Sequence, residues 1–216
     1  NAIHGFLARK KFFISEEKSN DALAKVSFIH NYPGDFPGFP FPFIFTLTYT
    51  LSSKGIFTVN FKCQNTGQTN MPFACGWHPY FKIANADISH LEIKFSPTLK
   101  YISDPQMIPM AEESVSIPMP VRFSETTLDN VFKLKSQKDH LTELSDRESK
   151  ISLFLKQNSV EFPFLVVFAP TSENCVAIEP MTGNTDAFNT GDGLNVLCPN
   201  EEFTSLVEIW IDIAKI

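Results

Sequence analysis

The sequence lacks the features of several common protein classes. It has no uncharged apolar run of about eighteen residues, the length that a membrane-spanning helix needs. It has no Gly-x-Gly-x-x-Gly after a strand, no phosphate loop ending in Gly-Lys-Ser/Thr, no Gly-x-Ser-x-Gly and no His-Glu-x-x-His. The motifs typical of nucleotide-binding proteins, serine hydrolases and zinc proteases are therefore missing. We also expect a soluble chain with no membrane partner.

Basic charge and cysteine are also scarce. The formal net charge is -6, and the longest basic run is residues 9–11, which argues against nucleic acid as a partner. The four cysteines have no metal-ligand spacing, so we expect buried thiols and no metal at Cys63, Cys75, Cys175 and Cys198. We expect a cytoplasmic protein, with a periplasmic or secreted location left open.

Period-two alternation of large and polar side chains is the main structural signal. Residues 43–50 predict a strand, residues 52–55 supply turn chemistry, and residues 57–63 predict a second strand that completes a hairpin. Further strands are predicted at 91–95, 151–155, 165–168 and 207–213. Short strands with 15 Pro and 22 Phe predict an all-β fold, a large antiparallel β-sandwich with few or no long helices, in a single domain over 1–216.

Three polar or irregular segments are harder to assign. Residues 136–150 are polar with mixed charge, and we interpret them as a hairpin loop or solvated turn. The Pro-Gly-Phe-rich residues 33–42 suit an extended segment on a sheet edge. Residues 186–193 lack the ligand spacing of an EF-hand, so we predict a loop, with calcium as the weaker alternative.

Two residues stand out as candidates for proton transfer. His78 precedes Pro79, whose ring keeps the histidine backbone out of the helical region. Glu179 ends an apolar strand pattern, where a carboxylate is costly unless it is bonded or used. The alternatives are a satisfied histidine at a strand end and an edge-strand charge that blocks aggregation. An imidazole and a carboxylate on opposite sides of a sugar ring could shuttle protons.

The chain resembles the aldose 1-epimerase (galactose mutarotase) family. The resemblance rests on motifs spread along the sequence: NAIHGF at 1–6, MPFACGWHPYF at 71–81, LDNVF at 128–132, AIEPMTG at 177–183, DAFN at 186–189, GL at 193–194 and LCPNE at 197–201. It implies a large antiparallel β-sandwich, a monosaccharide substrate of the galactose or glucose type and no cofactor. It also implies that Glu179 is the general base for the anomeric hydroxyl and that His78 is the general acid for the ring oxygen.

Three further residues match sugar-binding positions of the family. His4 corresponds to a histidine near the ring oxygen, although it could also lie in a disordered terminus. Asp129 corresponds to a carboxylate that accepts hydrogen bonds from sugar hydroxyls, or it forms a turn before Asn130. Arg9 resembles an arginine of relatives that act on hexose 6-phosphates, displaced by one residue, and could bind a hydroxyl, a phosphate or nothing.

The resemblance leaves several hypotheses. Family members have strands before the His-Gly motif, so we expect this chain to lack its N-terminal strands. The first hypothesis is a mutarotase that interconverts the α and β anomers of a free aldohexose, acting as a monomer or weak homodimer. The alternatives are a hexose-6-phosphate 1-epimerase and a non-catalytic carbohydrate-binding protein with the same fold.

Overall fold

The structure is a computed structural model that describes residues 4–115, 117–170 and 172–213. Within these residues the chain forms seventeen β-strands, short 3-10 helices at Leu7–Arg9 and Ile88–His90, and one α-helix, α1 (Ala187–Thr190). None of the described helices is long and apolar enough to cross a membrane. The strands are β1 (Phe13–Ser19), β2 (Leu23–Tyr32), β3 (Phe43–Ser52), β4 (Phe57–Asn65), β5 (Met71–Phe73), β6 (Tyr80–Phe81), β7 (Leu91–Lys94), β8 (Pro97–Ser103), β9 (Pro109–Ser114), β10 (Val121–Arg122), β11 (Asp129–Leu134), β12 (His140–Asp146), β13 (Ile151–Gln157), β14 (Phe164–Phe168), β15 (Val176–Met181), β16 (Asn195–Leu197) and β17 (Glu202–Ile213).

The chain divides into two compact units. One contains the residues up to Met71 together with Val196–Leu206, and the other contains Pro72–Asn195 together with the residues from Val207 onward. In the first unit, β1, β2, β3 and β4 pair antiparallel in chain order. The register of β3 on β4 confirms the predicted hairpin.

The Pro-Gly-Phe-rich segment 33–42 was predicted to lie extended on a sheet edge, and this is wrong. It is the connection between β2 and β3, which are paired neighbours. The Tyr32 hydroxyl donates to the Phe39 carbonyl at 2.8 Å and accepts from the Phe36 amide at 2.9 Å. Four rings pack here with centroids between 5.0 and 6.2 Å apart, those of Phe6, Tyr32, Phe39 and Phe43. The segment folds back because Phe39 packs in this cluster, whereas the Phe36 ring stays exposed.

The second unit contains two antiparallel sheets. One has the strand order β6-β15-β14-β11-β8-β9. The other has the order β10-β7-β12-β13, followed by residues 207–213 of β17. The sheets meet through an apolar layer in which Phe95, just beyond β7, packs edge-to-face on Phe132 of β11 with ring centroids 5.0 Å apart. Both rings are buried, as expected for a Phe-rich interior.

The polar segment 136–150 contains strand β12, which we did not predict, and the predicted hairpin loop is confined to residues 147–150 between β12 and β13. β12 pairs with both β7 and β13. Its alternate residues His140, Thr142, Leu144 and Asp146 are buried. Three of these four are polar, so the alternation of burial along β12 does not show as an alternation of hydrophobicity, and the strand was missed for that reason.

The cysteines only partly follow the prediction of buried thiols. All four are free, and Cys63 is buried as expected. Cys75 and Cys175 are partly exposed. Cys198 is exposed, so the prediction of burial is wrong there.

The six-stranded sheet has two chemically different faces. One face is apolar and fully buried, with Phe132, Leu165, Val167 and Ile178. Because directly paired residues in antiparallel strands point to the same side, the pairs Val131↔Val166 and Val166↔Glu179 place Glu179 on the opposite face. We call this second face the site face. From β11, β14 and β15 it carries Asp129, Val131, Lys133, Phe164, Val166, Phe168, Ala177, Glu179 and Met181.

Candidate active site

Glu179 lies inside the sheet and not at its edge. Its strand, β15, pairs with β14 on one side and with β6 on the other. The alternative of an edge-strand charge is therefore wrong. The residue is only 8% exposed, a costly place for a carboxylate that has no further role.

The backbone around His78 is hydrogen-bonded along β15. The Trp77 amide donates to the Pro180 carbonyl at 3.1 Å, and the Ile178 amide donates to the Pro79 carbonyl at 3.4 Å. These two bonds bracket His78 and hold it beside Glu179. The proline that follows further restricts the histidine backbone, so little conformational freedom remains.

The two side chains meet directly. His78 Nε2 lies 3.2 Å from Glu179 Oε1, and the side chains are 31% and 11% exposed respectively, so solvent reaches the pair from the histidine side. The Tyr80 ring lies against the imidazole, with centroids 5.0 Å apart. We expected the two groups on opposite sides of a sugar ring, and the structure places them in direct contact, because hydrogen bonds fix the His78 segment alongside β15. Direct proximity nevertheless suits a hemiacetal, since both reacting oxygens are bonded to the same carbon.

Burial changes the proton affinity of this pair. Desolvation, followed by the negative charge of Asp129, raises the pKa of Glu179 from 4.5 to about 7. A carboxylate with such a pKa can both take up and release a proton near neutral pH. A protonated His78 would oppose this effect, because a positive charge at 3.2 Å favours the ionised carboxylate.

A second histidine–glutamate contact shows what distinguishes the first. His90 Nδ1 lies 3.3 Å from Glu148 Oε2, almost the same separation as in the His78–Glu179 pair. The Glu148 side chain is 71% exposed, however, whereas that of Glu179 is 11% exposed. Only the Glu179 pair combines contact with desolvation, and perturbed carboxylates of this kind concentrate at functional sites.

The structure places the other predicted residues in different parts of the chain. Asp129 begins β11 on the site face and acts electrostatically on Glu179, so it does not close a turn as the alternative held. His4 is exposed in a turn with φ of 65°. Arg9 is exposed at the end of the 3-10 helix that follows. His4 and Arg9 belong to the first unit, whereas Asp129, His78 and Glu179 belong to the second.

Sequence reasoning missed a polar cluster on the same side of the second unit. Asp192 accepts hydrogen bonds from Tyr101, Lys133 and Asn184. We had treated residues 186–193 only as a loop; they include the helix α1, which occupies 187–190. A polar residue between Gly191 and Gly193 was the available signal, but its partners are distant in sequence. Within the described ranges, no group of three or more His, Cys, Asp or Glu side chains could hold a metal ion.

Comparison with solved structures identifies the fold. A galactose mutarotase-like protein from Clostridium acetobutylicum superposes with a TM-score of 0.87 at 21% identity, covering 98% of this chain and 69% of that one. An aldose epimerase homologue from C. elegans gives 0.78 at 15% identity, covering 97% and 70%. The galactose 1-epimerase of Lactobacillus acidophilus gives 0.76 at 15% identity, covering 94% and 67%. The chain therefore has the all-β, galactose mutarotase-like fold that its strand pattern predicted.

Sequence comparison adds the family. Among curated protein sequences no significant match was found. The family model for aldose 1-epimerase, however, matches residues 1–210. The chain belongs to the aldose 1-epimerase family, and the resemblance stated from its motifs is confirmed.

Proposed function

We propose that this protein is a cofactor-independent aldose 1-epimerase that interconverts the α and β anomers of an aldohexose such as galactose or glucose. The observation that carries the proposal is the buried Glu179 carboxylate in contact with His78 at 3.2 Å, with a pKa raised to about 7. Family membership supports the same reaction class. The galactose 1-epimerase of Lactobacillus acidophilus has the same fold.

The proposed reaction uses the two groups as base and acid. Ionised Glu179 removes the proton from the anomeric hydroxyl, and a carbonyl forms at C1 as the bond from C1 to the ring oxygen breaks. Protonated His78 gives its proton to the departing ring oxygen. After rotation about the C1–C2 bond, the ring oxygen attacks the other face of the carbonyl, and the two residues exchange roles. Each positioned proton transfer supplies about two to four decades of rate.

The remaining residues are assigned to substrate binding in this proposal. Asp129 accepts hydrogen bonds from sugar hydroxyls, and its charge also keeps the Glu179 proton affinity high. His4 and Arg9 belong to the first unit and stay predictions from the family resemblance, His4 for the ring oxygen and Arg9 for a hydroxyl or a phosphate. The substrate is a monosaccharide, and the protein acts as a monomer or weak homodimer.

Polarimetry tests the proposal directly. The optical rotation of freshly dissolved α-galactose, α-glucose and glucose 6-phosphate is followed until it reaches its equilibrium value. The Glu179→Gln and His78→Asn variants should each slow the catalysed approach at least about a hundredfold, because each removes one of the two proton-transfer groups.

The second histidine–glutamate contact provides matched controls. His90→Asn and Glu148→Gln break a contact of nearly equal length, 3.3 Å, and should leave the rate unchanged. If the intact protein accelerates none of the three sugars but binds them, the proposal fails in favour of a carbohydrate-binding protein. A rate confined to glucose 6-phosphate would identify a hexose-6-phosphate 1-epimerase instead.

A further inference from the structure

Asp192 connects the loop after Glu179 to two strands of the site sheet. The Tyr101 hydroxyl of β8 donates to Asp192 Oδ2 at 2.7 Å, and Lys133 Nζ of β11 donates to Oδ1 at 3.3 Å. From the loop itself, Asn184 Nδ2 donates to Oδ2 at 3.0 Å. Burial alone would raise the pKa of Asp192, but the hydrogen bonds from Tyr101 and Asn184 and the charge of Lys133 lower it below its ordinary value. The carboxylate is therefore ionised at neutral pH and accepts three hydrogen bonds.

The same loop also holds the segment that carries His78. The Asn184 amide donates to the Asp192 carbonyl at 3.0 Å, which closes the loop on itself. Two residues earlier, the Thr182 amide donates to the Cys75 carbonyl at 2.8 Å, and Thr182 Oγ1 accepts from the Cys75 amide at 2.9 Å. Thr182 is 1% exposed and Asn184 is 6% exposed. Hydrogen bonds at Asp192 and at Thr182, joined by the backbone of residues 182–184, thus connect β8 and β11 to the chain just before His78.

Close packing at the end of the loop leaves little room for adjustment. A Cβ on Gly193 would lie 2.4 Å from the Phe164 ring and 2.7 Å from the Thr182 carbonyl oxygen. The φ of Gly193 is 75°, a conformation that favours glycine. The Asp192 end of the loop therefore lies directly against Thr182, so a shift of one is transmitted to the other.

Lys133, which donates to Asp192, lies away from Glu179 on the site face. The register pairs Lys133 with Phe164 and Phe164 with Met181, which puts Lys133 two strands away from Met181. Glu179 lies two residues further along β15, so with ordinary strand spacings the Cα atoms of Lys133 and Glu179 are about 12 Å apart. Three donors fill three of the about four acceptor positions of the carboxylate, which leaves about one for a sugar hydroxyl.

We propose that Asp192 is a positioning residue for catalysis, which anchors the 182–194 loop to β8 and β11 and thereby holds His78 and Glu179 in register. This inference rests on the proposed function for its kinetic consequence. The geometric part, that the anchor maintains the His78–Glu179 contact, stands separately and can be measured without turnover.

The test compares Asp192→Ala and Asp192→Asn with a matched control. Glu208→Ala removes the ion pair with Lys156, whose side chains are 26% and 33% exposed, close to the 29% and 39% of Asp192 and Lys133. Two readouts are taken, kcat and KM by polarimetry, and the titration midpoint of Glu179 by carbon-13 NMR. The milder Tyr101→Phe variant removes a single donor to Asp192 and keeps the test valid if Asp192→Ala does not fold.

Asp192→Ala should lower kcat about ten- to a hundredfold with KM changed less than about threefold, because misplacement of the reacting groups affects the transition state more than sugar binding. The Glu179 midpoint should fall from about 7 as the loosened pair admits water. Asp192→Asn keeps one oxygen for Tyr101 and Asn184 and should recover most of kcat. Tyr101→Phe should change both readouts in the same direction but less, and Glu208→Ala should change neither.

Three results would overturn the inference: an unchanged Glu179 midpoint, an unchanged kcat in an active protein, or a rise in KM alone. If the intact protein converts no sugar, the proposed function fails. The midpoint in Tyr101→Phe then decides the positioning role, because this variant keeps the charge of Asp192: a downward shift supports the anchor and no shift refutes it.

Discussion

Replacing the buried carboxylate by its neutral isostere should make the protein more stable, and only at high pH. The pKa of Glu179 is raised from 4.5 to about 7 in the folded protein. One pKa unit corresponds to about 1.4 kcal/mol, so ionised Glu179 costs the fold at most about 3 kcal/mol. Because the side chain retains 11% exposure and contacts His78, we expect Glu179→Gln to recover about 2 kcal/mol of this.

The pH dependence follows from which state holds the proton more tightly. Between pH 4.5 and about 7 the folded protein keeps the Glu179 proton that the unfolded chain has lost, so the free energy of unfolding falls as the pH rises through this window. Below this pH window Glu179 is protonated in both the folded and the unfolded state. Above the window it is ionised in both states, and the full free-energy cost of burying its charge is present. Glu179→Gln should therefore change the free energy of unfolding by less than about 0.5 kcal/mol at pH 4.5 and raise it by about 2 kcal/mol at pH 8.5.

Urea unfolding at these two pH values measures the effect. Trp77 and Trp210 both lie in the unit that contains Glu179, so their fluorescence reports its unfolding. Glu17→Gln, at an exposed position of β1, is the control and should change stability by less than about 0.5 kcal/mol at either pH. Equal stability of intact protein and Glu179→Gln at pH 8.5, or a gain seen only at low pH, would refute the assignment of Glu179 as a desolvated carboxylate.

Three further predictions concern other residues. Asp129→Asn removes the second cause of the raised Glu179 pKa, so the acid limb of the pH profile of kcat/KM should move to lower pH. Loss of a sugar contact should also raise KM. An acid limb at unchanged pH would contradict the electrostatic effect of Asp129 on Glu179. His140 is fully buried, and desolvation lowers its pKa from 6.5 to about 4, so the free energy of unfolding should drop as the pH falls from 6.5 to 4. In urea unfolding, the His140→Phe variant should lose about 2 kcal/mol less of this free energy than the intact protein over the same interval. Parallel plots of unfolding free energy against pH for the two proteins would refute this. Gly193→Ala forces a Cβ against the Phe164 ring at 2.4 Å and should lower stability by more than about 1 kcal/mol, which thermal unfolding would show; an unchanged melting temperature would mean that the loop can relax.

Local pattern was enough to predict much of the fold. Large residues alternate with threonine and other polar residues in β3 and β4, so the burial of one face is visible in the sequence, and the hairpin was found with its turn. The same held for β7, β13, β14 and the end of β17. β12 was missed because most of its buried residues are polar, and segment 33–42 was misplaced because Phe39 packs on Phe6, Tyr32 and Phe43.

The sequence alone determined which residue types form the candidate site. The tertiary structure decided how those residues act chemically. Motifs alone indicated His78 and Glu179, since a histidine before proline and a carboxylate in an apolar strand are unusual locally. Their contact at 3.2 Å depends on the pairing of two segments about a hundred residues apart, and so does the desolvation that raises the pKa of Glu179. The donors to Asp192 from β8 and β11 could not be found in the sequence, because each looks like an ordinary polar residue until the sheet brings it to Asp192.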